Sequence, residues 1–311
     1  MDLHIINHHA VQADYESGTT TNFNSNFHTI QEAPDLPIPS NAPTTFERWL
    51  PLIMRSRGLP KDALQVTSLT RAQVRVILDA ASASVHTRRL NQAYAEDLYE
   101  EARPAFASLT FPPSGLFMRL SACSTKDGEN TAAGKISVSS PDEILLQLTT
   151  SLRAWKALSS SLNAGHQEIK VFFLPFDERI RTEYEYRVFC MPGSLRITAV
   201  SQYRWHAPWV FAECEEGEKR EMAEVVMRGV EEIHRSILAG LGDDEDGLDG
   251  LLRRQGFTFD VFFDRGRQAC ELIELNTFGV RSACGSCLFH WLRDQDLLYG
   301  KRDVVEFRVV Q

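Results

Sequence analysis

The sequence FTFDVFFDRGRQACELIELN, at residues 257–276, holds the clearest structural pattern of the chain. Each half is rich in aromatic or aliphatic residues with polar residues between them, which is typical of a strand. Asp264-Arg265-Gly266 lies between the halves and is a turn sequence. The stretch therefore predicts a β-hairpin, with strands at residues 257–263 and 270–275.

Three oxygen-bearing side chains make this hairpin a candidate metal site. Successive side chains of a strand point to opposite faces, so Glu274 and Asn276 share one face of the second strand. A partner strand can place Asp260 beside them, and Mg²⁺ prefers a few carboxylates together with substrate phosphates. The alternative interpretation is that these are ordinary solvent-facing residues of a hairpin. For Asp260 alone, that interpretation is the better one. For all three residues it fits less well, because unpaired carboxylates amid phenylalanines are expensive to bury.

Cations that could meet phosphates lie elsewhere in the chain. Arg119 ends a predicted strand, Lys126 lies in the polar loop that follows, and Arg187 lies on a second predicted hairpin. Exposed salt bridges explain each one alone; together with the acidic residues they indicate a nucleotide. The chain has neither a Walker-type loop nor a GxGxxG before a helix. A nucleotide must therefore be held in another way, for example between two sheets.

Composition narrows the class of protein. The chain has 311 residues, of which 43% are hydrophobic, and a formal net charge of −9. This acidic balance argues against nucleic acid as a partner. The sequence also lacks an apolar run of the roughly 20 residues that a spanning helix needs, and its start does not resemble a signal peptide. Six cysteines are too sparse for a disulfide framework, so we expect a soluble protein of the reducing cytoplasm.

The order of predicted elements indicates an α+β protein with antiparallel sheets. Further strands are predicted at residues 115–120, 169–176, 183–190 and 195–201. Helices are predicted near residues 91–103, from Ser140 through Leu158, and at residues 218–239. We expect a flexible or draped arm at residues 1–42, an N-terminal lobe at 43–165 and a C-terminal lobe with the metal site at 166–311.

Several motifs together resemble the cell-division-cycle-123 (D123-type) family, which comprises ATP-grasp-like assembly chaperones for translation initiation factor 2. The match spans most of the chain that we expect to be ordered, and its C-terminal part is the most specific. The motifs are FERWLPLI at 46–53, FMRLSACSTKD at 117–127, Glu185-Tyr186-Arg187 with Ser201-Gln202, Asp260 with Glu274-Leu275-Asn276, Phe278-Gly279, and LFHW at 288–291.

The resemblance implies an ATP-grasp fold in which two lobes with antiparallel sheets sandwich the nucleotide. It implies that Mg²⁺ is bound by Asp260, Glu274 and Asn276, and that adenine lies near residues 172–176. The implied ATP-binding residues are Arg119, Lys126, Phe172, Leu174, Phe176 and Arg187.

Departures from the family pattern cluster where a second substrate or a partner would meet the nucleotide. Thr277 stands where the family usually carries Pro, and residues 280–286, VRSACGS, replace a more acidic and bulkier segment. We infer that the ATP site is retained and that the partner has changed.

Two functions from different classes follow. The first is an ATP- and Mg-dependent ligase that activates a small carboxylate as an acyl phosphate and joins it to an amine. In it, Arg187 steadies the transferring phosphoryl group and Arg281 holds the substrate carboxylate, although a surface arginine is the simpler interpretation of Arg281 alone. The alternative is an ATP-binding assembly chaperone with a translation-factor client.

A CxxC sequence, Cys284-Gly285-Ser286-Cys287, lies inside the changed segment. A zinc site would need a second pair of ligands at a suitable spacing, and a thioredoxin-like redox pair would need a βαβ context. Neither is present, so two packed thiols are the expected arrangement.

Overall fold

Two sheets organise the computed structural model, which describes residues 1–18, 22–132 and 134–311. The larger has the strand order β1-β9-β6-β5-β7-β8 and the smaller the order β2-β4-β3. The strands are β1 Asp2–Ile6, β2 Gln65–Thr70, β3 Leu116–Leu120, β4 Glu168–Pro175, β5 Glu185–Cys190, β6 Ile197–Gln202, β7 Phe257–Asp264, β8 Ala269–Thr277 and β9 Glu306–Val310.

The strand directions confirm both hairpins and correct one expectation. β5 pairs antiparallel with β6, and β7 pairs antiparallel with β8. The smaller sheet is antiparallel, as predicted. The larger sheet is mixed, because β9 runs parallel to both β6 and β1. The expectation of wholly antiparallel sheets is therefore wrong for the larger sheet, whereas the α+β class is confirmed.

Helices occupy the connections between strands. They are α1 His8–Ser17, α2 Phe46–Ser56, α3 Arg71–Ser84, α4 Ala95–Asp97, α5 Pro141–Thr150, α6 Leu152–Asn163, α7 Glu216–Ala239, α8 Leu248–Gln255 and α9 Gln295–Leu298. In the ranges that the structure describes, no helix combines the length and the apolar character needed to cross a bilayer.

Two helical predictions differ from the structure. The helix expected from Ser140 through Leu158 is divided into α5 and α6 by Ser151, whose backbone is extended (φ −85°, ψ 118°) and whose side chain caps α6 by accepting from the Ala154 N–H. The helix expected near residues 91–103 is instead a series of short turns of 3₁₀, α and π type over 92–106.

The chain forms two compact units, Met1–Gly58 with Arg179–Gln311 and Leu59–Glu178. These bounds differ from the predicted lobes for two reasons. Helix α2 belongs to the first unit because the Ser56 hydroxyl accepts from the Leu272 N–H of β8 at 2.9 Å. Strand β4 belongs to the second unit because it pairs with β2 and β3.

The N-terminal segment, residues 1–42, has more regular structure than a flexible arm. β1 adds a parallel edge strand to β9, and α1 follows it. Beyond residues 19–21, which lie outside the described part of the chain, Asn24 and Ser25 bond to the loop between β8 and α9. The Asn24 N–H donates to the Cys287 carbonyl at 2.7 Å, and the Ser25 hydroxyl accepts from the Trp291 N–H at 2.8 Å.

Replacing Ser25 with Ala tests this docking. Ser25 is 3% exposed, so its loss leaves the buried Trp291 N–H without its acceptor. We expect Ser25→Ala to lower the free energy of unfolding by about 1–3 kcal/mol in urea titrations. The control Ser160→Ala, at an exposed position of α6, should change it by less than about 0.5 kcal/mol. Equal effects of the two substitutions would contradict the docking.

Candidate functional site

A row of polar side chains crosses the middle of the larger sheet. The register pairs Ser201 of β6 with Arg187 of β5, Arg187 with Asp260 of β7, and Asp260 with Glu274 of β8. Directly opposed residues on adjacent strands share a face and have neighbouring side chains. Residues more than 80 positions apart in the sequence are thereby brought into one row.

The apolar neighbours of Asp260 hold this row on one face. Phe259 and Val261 are fully buried on the opposite face, where Phe259 stacks on His234 of α7 with ring centroids 6.3 Å apart. Full burial of such side chains contributes about 1.5–3 kcal/mol each. A slip of one residue would exchange the two faces and place Asp260 among apolar groups. The apolar face therefore fixes the position of the polar row.

Arg187 and Asp260 form a buried, two-pronged ion pair. Arg187 Nε donates to Asp260 Oδ1 at 2.8 Å, and Nη2 donates to Oδ2 at 2.7 Å. Only 8% of the Arg187 side chain and 1% of the Asp260 side chain are exposed. Burial alone would lower the pKa of Arg187, but the charge of Asp260 outweighs it and holds the pKa well above the ordinary value. Arg187 is therefore charged at all working pH values.

Asn276 joins the two carboxylates of the predicted metal site. Its Nδ2 donates to Asp260 Oδ2 at 3.2 Å and to Glu274 Oε1 at 3.3 Å. The structure thus brings together the three residues that the hairpin pattern selected. No group of three or more His, Cys, Asp or Glu residues in the described ranges is arranged to hold a metal ion, so any ion here would depend on the Asn276 amide.

The donor set fits Mg²⁺ in kind. Two carboxylates and an amide are hard oxygen ligands, and Mg²⁺ needs few from the protein because it keeps water and substrate phosphates. As placed, Asn276 turns its nitrogen towards the carboxylates; a half-turn of the amide exchanges nitrogen for oxygen. Asp260, Glu274 and Asn276 are the residues that could hold the ion, and its binding stays a prediction.

The loop between β8 and α9 covers one side of the polar row. The Gly285 carbonyl accepts from Arg187 Nη1 at 2.6 Å, and the Ser201 hydroxyl accepts from the Leu288 N–H at 3.1 Å. Trp291, which is fully buried, donates its indole N–H to the Cys284 carbonyl at 3.0 Å. These bonds connect the changed segment directly to the row.

The two cysteines of the CxxC sequence are buried in this loop. Burial raises the pKa of Cys284 to about 11 and that of Cys287 to about 12. In both cases the nearby charge of Arg187 lowers the pKa, but by less. The thiolate, the reactive form, is therefore scarce at neutral pH. The structure places both residues as packed thiols.

A cavity of about 550 Å³ opens on Arg187 within the first unit. Its lining includes residues 203–206, which follow β6, and Asn24 and Asn26 of the N-terminal segment. Its volume lies in the range of small-molecule sites, about 300–1,000 Å³. Sequence reasoning missed these wall residues, since nothing local marks them; Ser201-Gln202, quoted as a family motif, ends just before them.

The second unit carries the remaining predicted ATP-binding residues. Arg119 pairs with Phe172 across β3 and β4, and Phe117 pairs with Leu174, so Arg119, Phe172 and Leu174 share one face of the smaller sheet. All three are less than 10% exposed. Lys126 is exposed in the loop after β3, and Phe176, just past β4, bonds through its N–H to the Gly115 carbonyl at 3.0 Å. Their role in binding ATP stays a prediction.

Arg281 lies apart from this geometry. Its Nη1 donates to the Leu36 carbonyl at 3.3 Å, and it does not line the cavity on which Arg187 opens. The structure therefore connects Arg281 with the N-terminal segment and does not bring it together with Arg187.

Comparisons with known proteins identify the fold. No protein-family model matches the chain, and no curated protein matches it. Cdc123 from Schizosaccharomyces pombe has a similar structure, with a TM-score of 0.58 and 17% identity over 89% of this chain and 99% of that one. A C-terminally truncated form of the same protein gives a TM-score of 0.59 and 18% identity over the same shares. The predicted cell-division-cycle-123 likeness is thus confirmed as a likeness of fold.

A double-mutant cycle tests the ion pair. Arg187→Met leaves Asp260 buried without its main cation, so we expect it to lower the free energy of unfolding by about 3–5 kcal/mol. In an Asp260→Asn background the same substitution should cost much less. The measurement is urea unfolding of the four proteins at pH 7. If Arg187→Met lowers the free energy of unfolding by the same amount in both backgrounds, the two residues are not coupled.

The exposed pair of Lys301 and Asp296 supplies a matched control. Its side chains are 66% and 63% exposed, and their closest charged atoms are 2.7 Å apart. Water screens such a pair. We therefore expect Lys301→Met and Asp296→Asn to combine additively.

Proposed function

We propose that this chain is an ATP- and Mg-dependent ligase that joins a carboxylate to an amine. The observation that carries the proposal is the convergence of Asp260, Glu274 and Asn276 beside the fixed cation Arg187 on one face of the larger sheet. Bound there, Mg²⁺ would neutralise charge on the transferring phosphoryl group and on the leaving ADP.

Arg187 is suited to hold a phosphoryl group in place. A guanidinium has five N–H groups, of which two bond to Asp260 and one to the Gly285 carbonyl. Two remain for a ligand in the adjoining cavity. Because Asp260 bonds to Arg187 at two points, the orientation of the guanidinium plane is determined before a ligand binds. Such preorganisation stabilises charge in a transition state without a cost of reorientation during the reaction.

The reaction has two transfers. An oxygen of the substrate carboxylate attacks the γ-phosphorus of ATP, the bond to the β,γ-bridging oxygen breaks, and ADP leaves. The nitrogen of the amine then attacks the carbonyl carbon of the acyl phosphate. The amide C–N bond forms, inorganic phosphate leaves, and the nitrogen loses a proton.

An ATP-binding assembly chaperone is the second candidate function. The fold likeness to Cdc123 favours it, through the family role that the motifs imply. The cavity on Arg187 favours the ligase, because a nucleotide that serves only as a structural ligand requires no further space for a small molecule beside its phosphates. The segment at 280–286 also favours the ligase, because it lacks the acidic and bulky residues that the family tends to carry there.

Substituting Glu274 tests the metal site. Glu274→Gln replaces a carboxylate by a neutral amide, so the affinity for Mg-ATP should fall at least about tenfold, a loss of about 1.4 kcal/mol. Affinity for ATP in excess EDTA should be much less affected. Isothermal titration calorimetry measures both. The control Glu224→Gln, at an exposed position of α7, should change neither, and an unaltered Mg-ATP affinity in Glu274→Gln would remove the site.

ADP release separates the two functions. For the ligase, a panel of carboxylates and amines should contain a pair that accelerates ADP release from Mg-ATP at least about tenfold over the protein alone. The Glu274→Gln protein should lose that acceleration. Tight retention of ATP without turnover against the whole panel would instead favour the chaperone.

A further inference from the structure

The cavity on Arg187 has walls of a consistent chemical character. Arg187 and Arg204 are cations, and the described residues that line the cavity include no Asp or Glu. The carboxylates of the polar row, Asp260 and Glu274, are not among the lining residues. The cavity therefore offers positive charge and hydrogen-bond donors to an occupant.

Arg204 is a cation of this site whose side chain is available to a ligand. It is exposed, and within residues 1–18, 22–132 and 134–311 its guanidinium makes no hydrogen bond or ion pair. Its backbone position is set, because Gln202 Nε2 donates to the Arg204 carbonyl at 2.8 Å. A cation whose backbone is held beside a cavity, and whose side-chain donors are available, suits an anionic ligand.

His206 supplies a polar atom that lacks a partner. Among the described residues, its Nδ1 is buried and has no hydrogen bond. The ring is held in place by Tyr15 of α1, whose ring stacks on it with centroids 4.5 Å apart. Burial lowers the pKa of His206, and the charge of Arg204 lowers it further. The ring is therefore neutral at pH 7, and Arg204 is the charged group of this wall.

The N-terminal segment adds two amides to the lining of the cavity. Asn24 is fixed by a reciprocal pair of bonds, since its N–H donates to the Cys287 carbonyl at 2.7 Å and its Oδ1 accepts from the Cys287 N–H at 3.1 Å. Gly285 is required beside it, because a Cβ there would collide with Asn24 Oδ1. Asn26, two residues on, lines the cavity and is exposed.

We infer that this cavity binds the carboxylate substrate of the ligase, with Arg204 binding its carboxylate beside the phosphoryl group that Arg187 holds, and Asn26 contacting its polar substituent. This assignment rests on the proposed function, because only a ligase would use the bound carboxylate as a substrate. A volume of about 550 Å³ fits a molecule of amino-acid to dipeptide size. The amide of Asn26 and the hydroxyl of Thr182, which also lines the cavity, suit a substrate that carries amine, amide or hydroxyl groups. Arg204 takes the role that the sequence suggested for Arg281.

Carboxylate binding without nucleotide tests the site. The probes are the twenty proteinogenic amino acids, succinate and benzoate, screened by saturation-transfer NMR against the full chain in EDTA. We expect at least one binder, and calorimetry should show its Kd rising at least tenfold in Arg204→Gln and severalfold in Asn26→Leu. The control Arg220→Gln, at an exposed position of α7, should leave the Kd within twofold.

Three results would overturn the assignment. They are the absence of any binder in the panel, equal affinity for the primary amide of the best binder, and inorganic phosphate that competes at the same Kd. The last would identify a phosphate site instead. Because EDTA removes Mg²⁺ and no ATP is added, this test can fail while Glu274→Gln still shows a metal site, and the reverse also holds.

Discussion

The buried pair of Arg187 and Asp260 is the interaction on which the rest of the site depends. The side chains of Arg187 and Asp260 are 8% and 1% exposed. Each charge stabilises the other, because an isolated buried charge is very unfavourable. Their pairing joins β5 to β7 within the larger sheet, with Glu274 of the edge strand β8 next in the row. The ion pair compensates the two buried charges, and it also orients the Arg187 guanidinium towards the cavity.

Around this pair, the first unit adds segments from distant parts of the chain. The loop after β8 supplies the Gly285 carbonyl to Arg187 and the Leu288 N–H to Ser201. The N-terminal segment then bonds to that loop through Asn24 and Ser25. The candidate metal ligands, the Arg187 cation and the lining of the cavity are thus parts of one hydrogen-bonded assembly. Such coupling suits a site that needs fixed geometry, since each member restricts the others.

Sequence reasoning predicted the two hairpins, α7 and the candidate metal residues, because these depend on patterns within a few residues. It placed the boundary after residue 165 and a helix from Ser140 through Leu158, and the structure differs in both. Strand β4 joins the second unit through pairing with β2, which begins about 100 residues earlier. Ser151 divides the predicted helix by capping α6. A long-range contact decided the first outcome, whereas the second was set locally, by the bond from the Ala154 N–H to the Ser151 hydroxyl.

The sequence by itself determined the FTFDVFFD and ELIELN strands and the face that Asp260, Glu274 and Asn276 share. The alternation of side chains along a strand is a property of the backbone and needs no other part of the chain. Only the tertiary structure decided that Arg187 grips Asp260, that β1 lies beside β9, and that Arg204 and Asn26 border one cavity. Those outcomes depend on sheet register and on contacts between segments about 300 residues apart, and both are selected by burial of the whole apolar core.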